Sequence, residues 1–163
     1  MTGKRAGKAL EAGAKAPEFE LSGMDGARSS LSDLLTGGPV LVALYKVGCP
    51  TCQLMLPFLE RIHAGGGALQ VVGISQDHEL ATRRLQSSLK LTLPSLLDRE
   101  EDGYRVSNAF GIIRVPSLFL IEPDGVISMA AEGFVKSEIE SIGKRAGVQP
   151  FRSDENVPEW KAG

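Results

Sequence analysis

A continuous apolar run, residues 40–45 (Val-Leu-Val-Ala-Leu-Tyr), constrains the fold more than any other feature of the sequence. A short run without polar alternation is typical of a β-strand that is buried on both faces of a sheet. Two cysteines, Cys49 and Cys52, follow this run almost at once. The sequence therefore predicts that the pair lies at one end of a buried strand.

The rest of the chain alternates between strand and helix patterns. Strands are predicted over 69–74, 91–97, 117–121 and 126–130, and helices over 51–63, 79–90, 102–110 and 136–146. Near the N-terminus, Asp25-Gly26 is a turn signal between two short extended segments, which predicts a hairpin. The predicted fold class is α/β, a central mixed β-sheet with helices on both faces and an N-terminal β-hairpin.

The length of 163 residues fits one domain. Residues 1–15 are rich in Gly, Ala and Lys without periodicity, which predicts a flexible N-terminal segment. The domain itself is expected over residues 16–146. Residues 147–163 form a polar tail with prolines and no clear secondary structure.

Charge and hydropathy exclude several classes of protein. The net charge is −2 and charges of both signs are interspersed, so no nucleic-acid partner is expected. No run approaches the roughly 20 apolar residues of a membrane-spanning helix, and we expect no stable membrane insertion. No apolar stretch of a signal peptide follows the basic N-terminus. We expect a cytoplasmic monomer, or an extracytoplasmic protein if a leader has been removed.

The two cysteines are the only ones in the chain and stand three positions apart. A disulfide across so short a loop adds little stability, which favours a chemical role. Pro50 suits the first position of a helix, so Cys49 is expected at the helix N-terminus, where free N–H groups stabilise a thiolate. Cys52, one turn further on, is expected to be less accessible and to resolve a mixed disulfide.

A Cys-x-x-Cys motif is also half of a zinc site. Only His63 and His78 are available as further histidine ligands, and their separation of fifteen is not that of a zinc finger. We therefore expect neither a metal nor another cofactor.

Five segments resemble one known family. They are residues 16–34, the Cys-Pro-Thr-Cys motif, Pro57 five residues after it, residues 93–98 and residues 111–125. Together they resemble the TlpA/ResA-type branch of the thioredoxin-like superfamily, close to the redoxin (AhpC/TSA) group, over about residues 16–146. The resemblance implies a thioredoxin-like fold and a thiol–disulfide oxidoreductase, with protein disulfides as substrates and a second thiol protein as redox partner.

The resemblance also implies roles for individual residues. Pro116 would be a cis-proline opposite the cysteines, and the backbone of Val115 would bind an extended substrate segment. Pro57 would kink the helix that carries the cysteines. Pro50 and Thr51, between the cysteines, would tune the stability of the thiolate.

The chain departs from the family at two positions. Ala43 stands where thioredoxins have a buried acid, and Gly48 replaces the usual Trp before the first cysteine, which opens the rim of the site. Asp77 stands where the ResA-type branch has an acid, so it is the candidate proton acceptor for Cys52. The alternative, that Asp77 is an ordinary helix N-cap, stays open. Lys46 either adds positive potential near Cys49 or is simply solvated.

Two other functions share this kind of fold. A thiol-dependent peroxidase needs Thr or Ser three residues before its reactive cysteine, whereas Lys46 occupies that position before Cys49. A metal-delivery module would have a longer cysteine spacing and a histidine further downstream than His78. The sequence therefore favours thiol–disulfide exchange. The Pro50-Thr51 dipeptide resembles that of the more oxidising members of the superfamily, whereas proteins of the TlpA/ResA type mostly act as reductants, so the resemblance to that branch implies a reductant.

Overall fold

A computed structural model describes residues 8–163. Its main sheet has seven strands, which are β1 (Glu20–Gly23), β2 (Arg28–Ser30), β3 (Val40–Tyr45), β4 (Gln70–Ser75), β5 (Ser95–Leu97), β6 (Ser117–Ile121) and β7 (Ile127–Glu132). Their spatial order is β2-β1-β5-β4-β3-β6-β7. β3 is parallel to β4 and antiparallel to β6, so the predicted mixed sheet is confirmed.

The described residues also contain five α-helices and a second sheet of two strands. They are α1 (Leu31–Leu35), α2 (Pro50–Ala64), α3 (Glu79–Leu89), α4 (Arg105–Ala109), α5 (Lys136–Ala146), β8 (Phe134–Val135) and β9 (Trp160–Lys161). In the segment predicted as one helix over 102–110, Gly103 and Tyr104 have positive φ angles of 75° and 48°. These angles separate α4 from a short 3₁₀ turn at Glu100–Asp102.

Alternate residues of β3 pack against different layers. Leu41 and Ala43 lie in one apolar cluster with Met55 and Leu59 of α2 and with α5. Val40, Val42 and Leu44 lie in a second cluster, with α1, α4 and aromatic side chains near them. Because side chains alternate along a strand, the sheet has helices on both faces, as predicted. The cysteine motif begins α2, directly beyond the end of β3.

The N-terminal hairpin is confirmed. β1 pairs antiparallel with β2, and Gly26 in the turn has φ +82°, a conformation that glycine adopts without strain. β1 also pairs with β5, which joins the hairpin to the main sheet.

The prediction of a flexible segment over residues 1–15 needs correction for its described part, residues 8–15. The Leu10 N–H donates to the Phe110 carbonyl at 3.0 Å, and the Gly13 N–H donates to the Ile127 carbonyl at 2.8 Å. Leu10 and Ala14 also pack against the second apolar cluster. Because the segment has little periodicity of its own, its order comes from these tertiary contacts. Residues 1–7 of the same prediction lie outside the described residues.

The tail after α5 also differs from its prediction. The sequence predicts no regular element there, but β9 pairs antiparallel with β8. Phe151 is 5% exposed and its ring centroid lies 4.6 Å from that of Phe58. A two-residue strand and one buried aromatic give no periodic pattern, which is why the sequence carries no sign of this packing.

Within residues 8–163, none of the helices has both the length and the apolar character needed to cross a membrane.

Candidate active site

Cys49 is the N-cap of α2, and Pro50 is the first helical residue. The Cys49 Sγ accepts a hydrogen bond from the Cys52 backbone N–H at 3.1 Å. That N–H is one of the helix-terminal donors without a partner inside the helix, so it stabilises negative charge on the sulfur. Cys49 is partly exposed.

Cys52 lies one turn further into the helix and is fully buried. It packs in a small apolar cluster with Tyr45, Leu56 and Leu85. Burial, and then the hydrogen bond with the Cys49 side chain, raises the pKa of the Cys52 thiol well above its ordinary value. The two sulfurs, both free thiols here, therefore differ strongly in access to water.

The loop before Cys49 is held by its neighbours. The Val47 N–H donates to Asp77 Oδ2 at 2.7 Å, and the Val47 carbonyl accepts from Gln53 Nε2 at 2.9 Å. Lys46 is exposed at the start of this loop. Gly48 is also exposed, and a Cβ built on it would meet no atom within 4 Å. The rim of the site is open at this position.

Asp77 follows β4, with its carboxylate directed at the loop before Cys49. The N-cap of α3 is His78, whose Nδ1 accepts from the Ala81 N–H at 3.3 Å. The interpretation of Asp77 as the N-cap of this helix is therefore wrong. Among the described residues Asp77 makes no hydrogen bond to either cysteine, and its Oδ1 accepts none.

The Val115–Pro116 peptide bond is cis. Cys49 Sγ donates to the Val115 carbonyl at 3.6 Å, across 66 positions in the chain. Val115 is half-buried beside the cysteines, and Pro116 is buried. The structure thus brings together the two regions that the sequence links only through the family resemblance.

The supporting residues lie along α2. Thr51 is 3% exposed, and its hydroxyl donates to the Ala162 carbonyl at 2.6 Å. Pro57 lies inside the helix, where its missing N–H leaves the carbonyl four residues earlier without a helical partner. Ala43 is fully buried in β3, so the position of the thioredoxin acid holds only a methyl group.

Sequence reasoning missed two neighbours of the site. Tyr45 packs beside Cys52, and its hydroxyl shares a hydrogen bond of 2.7 Å with Ser95. Burial raises the pKa of Tyr45. The sequence could have indicated Tyr45 as a neighbour of the site, because it is the last residue of the buried strand that leads to the cysteine motif. Gln53 has no comparable signal, since an exposed polar residue in a first helical turn is common.

Across residues 8–163, no three or more His, Cys, Asp and Glu side chains are grouped in a way that could hold a metal ion.

Comparisons with known proteins bear on the same region. A family model described as the AhpC/TSA family matches residues 12–130. The thiol-disulfide oxidoreductase ResA of Geobacillus thermodenitrificans is 26% identical over 143 residues, which cover 82% of this chain and 79% of the relative. ResA of Bacillus subtilis is 26% identical over 132 residues, covering 78% and 72% of the two chains.

Solved structures show the fold. The thioredoxin domain of a thiol-disulfide oxidoreductase from Bacteroides vulgatus superposes with a TM-score of 0.75 at 23% identity, covering 85% of this chain and 99% of that domain. Peroxidoxin BcpB from Mycobacterium tuberculosis gives a TM-score of 0.67 at 22% identity, covering 84% and 94%. This chain has a thioredoxin-like fold, and that fold is shared by exchange enzymes and by a peroxidoxin.

Proposed function

We infer that this chain, which belongs to the AhpC/TSA family, is a thiol–disulfide oxidoreductase. The observation that carries this conclusion is the difference between its two sulfurs. Cys49 is reachable and accepts a helix-terminal N–H, whereas Cys52 is buried and its thiol has a raised pKa. The Cys49 sulfur is suited to attack a substrate disulfide, and the Cys52 sulfur is suited to attack the mixed disulfide that results.

In the first step, the Cys49 thiolate attacks one sulfur of a substrate disulfide. A bond forms between Cys49 Sγ and that sulfur, the substrate S–S bond breaks, and the second substrate sulfur leaves as a thiolate that takes a proton from water. The backbone of Val115, beside Cys49, is the proposed binding edge for the extended substrate chain, with Pro116 fixing its position.

In the second step, Cys52 loses its proton and attacks Cys49 Sγ. The Cys49–Cys52 disulfide forms and the first substrate sulfur leaves as a thiolate, so two electrons pass from the enzyme to the substrate. We assign the proton to the carboxylate of Asp77, whose Oδ2 holds the loop before Cys49 through the Val47 N–H. Because the Cys52 thiol has a raised pKa, this step needs such an acceptor.

The direction of electron flow is proposed as reduction of protein disulfides. A second thiol protein would then return the enzyme to the dithiol by the reverse exchange. We further propose that the enzyme acts as a monomer. Its location, cytoplasmic or outside the cytoplasm, stays a prediction.

Reduction of insulin by dithiothreitol, followed by precipitation of the freed chains, tests the function. The wild-type protein should accelerate this reaction, and Cys49→Ser should not. When pre-reduced Cys52→Ser is mixed with insulin without dithiothreitol, the reaction should stop after the first step and leave a mixed disulfide that is visible by mass spectrometry.

The peroxidase alternative predicts a different result. A reduced peroxidase would consume hydrogen peroxide rapidly with Cys49 intact, and it would not need Val115 or an extended substrate. Rapid peroxide consumption without insulin reduction would overturn the proposed function.

A further inference from the structure

The end of the chain lies on the cysteine motif itself. Thr51, between the two cysteines, donates its hydroxyl hydrogen to the Ala162 carbonyl at 2.6 Å. Thr51 is 3% exposed, whereas Ala162 is exposed, so the contact is partly buried. The last residues therefore touch the helix turn that performs the proposed exchange.

A second contact lies on the other side of the site. Gly163 is so close to the Val115 carbonyl that a Cβ on residue 163 would collide with this oxygen, and it would lie 3.4 Å from Pro116 Cδ. The same carbonyl accepts from Cys49 Sγ at 3.6 Å. The tail thus lies against the backbone edge that the proposed function assigns to the substrate.

Just before these contacts in the chain, the tail binds as an added strand. β9 pairs with β8, and the Lys136 N–H donates to the Glu159 carbonyl at 3.0 Å. Gly133 permits this approach, because it has φ +76° and a Cβ there would lie 2.6 Å from the Lys161 carbonyl oxygen. Pairing by main-chain hydrogen bonds is how extended peptides bind to a sheet edge.

The tail divides into a firmly held part and a weakly held end. Phe151 is buried against Phe58, and Arg61 makes a two-pronged ion pair with Glu155, with N–O distances of 2.6 and 2.8 Å. Every residue from 158 to 163 is exposed, and Trp160 is 63% exposed. Residues 158–163 bury no apolar side chain, so they can open without disturbing the core.

We propose that residues 158–163, here called the strap, occupy the backbone edge formed by β8 and Val115 beside Cys49, here called the peptide groove, and that a protein substrate must displace them. This proposal rests on the proposed function, since it assigns the groove to the substrate of that reaction. The strap makes the enzyme selective for disulfides in chains that can take its place along β8 and Val115. A small disulfide needs no such groove and reaches the partly exposed Cys49 directly.

Truncation after Val157 tests the proposal, because it removes the strap and keeps Phe151 and Glu155. The catalytic efficiency kcat/KM for insulin should rise about tenfold, the gain expected if the groove is free in about one molecule in ten. The rate with 2-hydroxyethyl disulfide should stay unchanged.

A point variant covers the case in which truncation disturbs folding. Gly163→Val keeps the length of the chain but places a side chain against the Val115 carbonyl, so it should raise insulin turnover in the same direction. Asn156→Ala, an exposed position before the strap, is the matched control and should behave as wild type. Unchanged or slower insulin turnover in both strap variants would overturn the proposal.

The intrinsic fluorescence of Trp160 reports on the strap, because it is the only tryptophan in the chain. In the Cys52→Ser protein joined to a cysteine-containing peptide, the fluorescence anisotropy of Trp160 should fall as the strap leaves. An unchanged anisotropy in that mixed disulfide would overturn displacement while leaving the exchange reaction intact. Absence of exchange with insulin and with the small disulfide, in every variant, would instead overturn the proposed function and the strap with it.

Discussion

Cys49 and Cys52 are the same residue type in very different surroundings. The sulfur of Cys49 accepts a backbone N–H at the start of α2, whereas Cys52 is packed among Tyr45, Leu56 and Leu85. Water and helix-terminal donors stabilise a thiolate, and apolar side chains disfavour it. The order of the two attacks in the proposed mechanism follows from this difference.

Selective alkylation should reveal the difference. Because burial and the Cys49 side chain raise the pKa of Cys52, its thiol ionises less readily than that of an ordinary cysteine. Iodoacetamide at pH 7 should label Cys49 first, and Cys52 should be labelled only after unfolding. Peptide mapping of the reduced protein by mass spectrometry measures both rates. Equal labelling of the two cysteines in the folded protein would contradict this prediction.

Two substitutions of Asp77 separate its possible roles. Asn keeps an oxygen to accept the Val47 N–H but cannot take a proton, whereas Ala loses both functions. If Asp77 accepts the proton from Cys52, Asp77→Asn should slow resolution of the mixed disulfide about 100-fold and should change its pH profile. Stopped-flow kinetics with a peptide disulfide would show the mixed disulfide accumulating. An Asn variant with wild-type kinetics, beside an impaired Ala variant, would leave Asp77 as a positioning residue only.

At the scale of elements, the strand–loop–helix unit from β3 to α2 was the most predictable part of the molecule. The apolar run, the two cysteines and Pro50 mark its strand, its turn and its helix start by separate physical rules. The contact of Thr51 with Ala162 could not be predicted. A backbone carbonyl carries no residue-specific signal, and the two positions lie 111 residues apart.

The ion pair between Arg61 of α2 and Glu155 of the tail should give a defined pH dependence. Arg61 first, and then the Arg152 backbone N–H, lowers the pKa of Glu155 to about 2. A carboxylate with a lowered pKa stabilises the folded state above its unfolded value, here 4.5, and this contribution is lost as the pH falls towards 2. The difference in thermal midpoint between wild type and Glu155→Gln should therefore be constant above pH 5 and should vanish near pH 2.

The matched control for this pair is Glu140→Gln, at an exposed position on α5. Its midpoint should follow that of the wild type at every pH. A constant difference between wild type and Glu155→Gln down to pH 2 would show that the carboxylate acts by its shape rather than by its charge.

In the molecule as a whole, the two apolar clusters on opposite faces of the sheet contact different segments of the chain. α2, which begins at the cysteine motif, and the tail pack against the first apolar cluster, whereas Ala9, Leu10 and Ala14 pack against the second. The sequence predicted the two-faced sheet, because β3 is apolar at every position. The packing of residues 8–15 and of the tail after α5 could not be predicted, since each segment is fixed by isolated contacts rather than by a periodic pattern.

This separation predicts that stability and reactivity can be changed independently. Deletion of residues 1–14 removes the hydrogen bonds of Leu10 and Gly13 and exposes part of the second cluster. We expect a loss on the order of 2 kcal/mol in the free energy of unfolding, measured by urea denaturation. Alkylation of Cys49 should proceed at the wild-type rate, because Ala9, Leu10 and Ala14 pack against the second cluster, on the sheet face away from the cysteines. Glu11→Ala is the control, since its exposed partner is Lys8, and it should leave the urea midpoint unchanged. A deletion that slowed alkylation without lowering the midpoint would show that the two faces are coupled through the sheet.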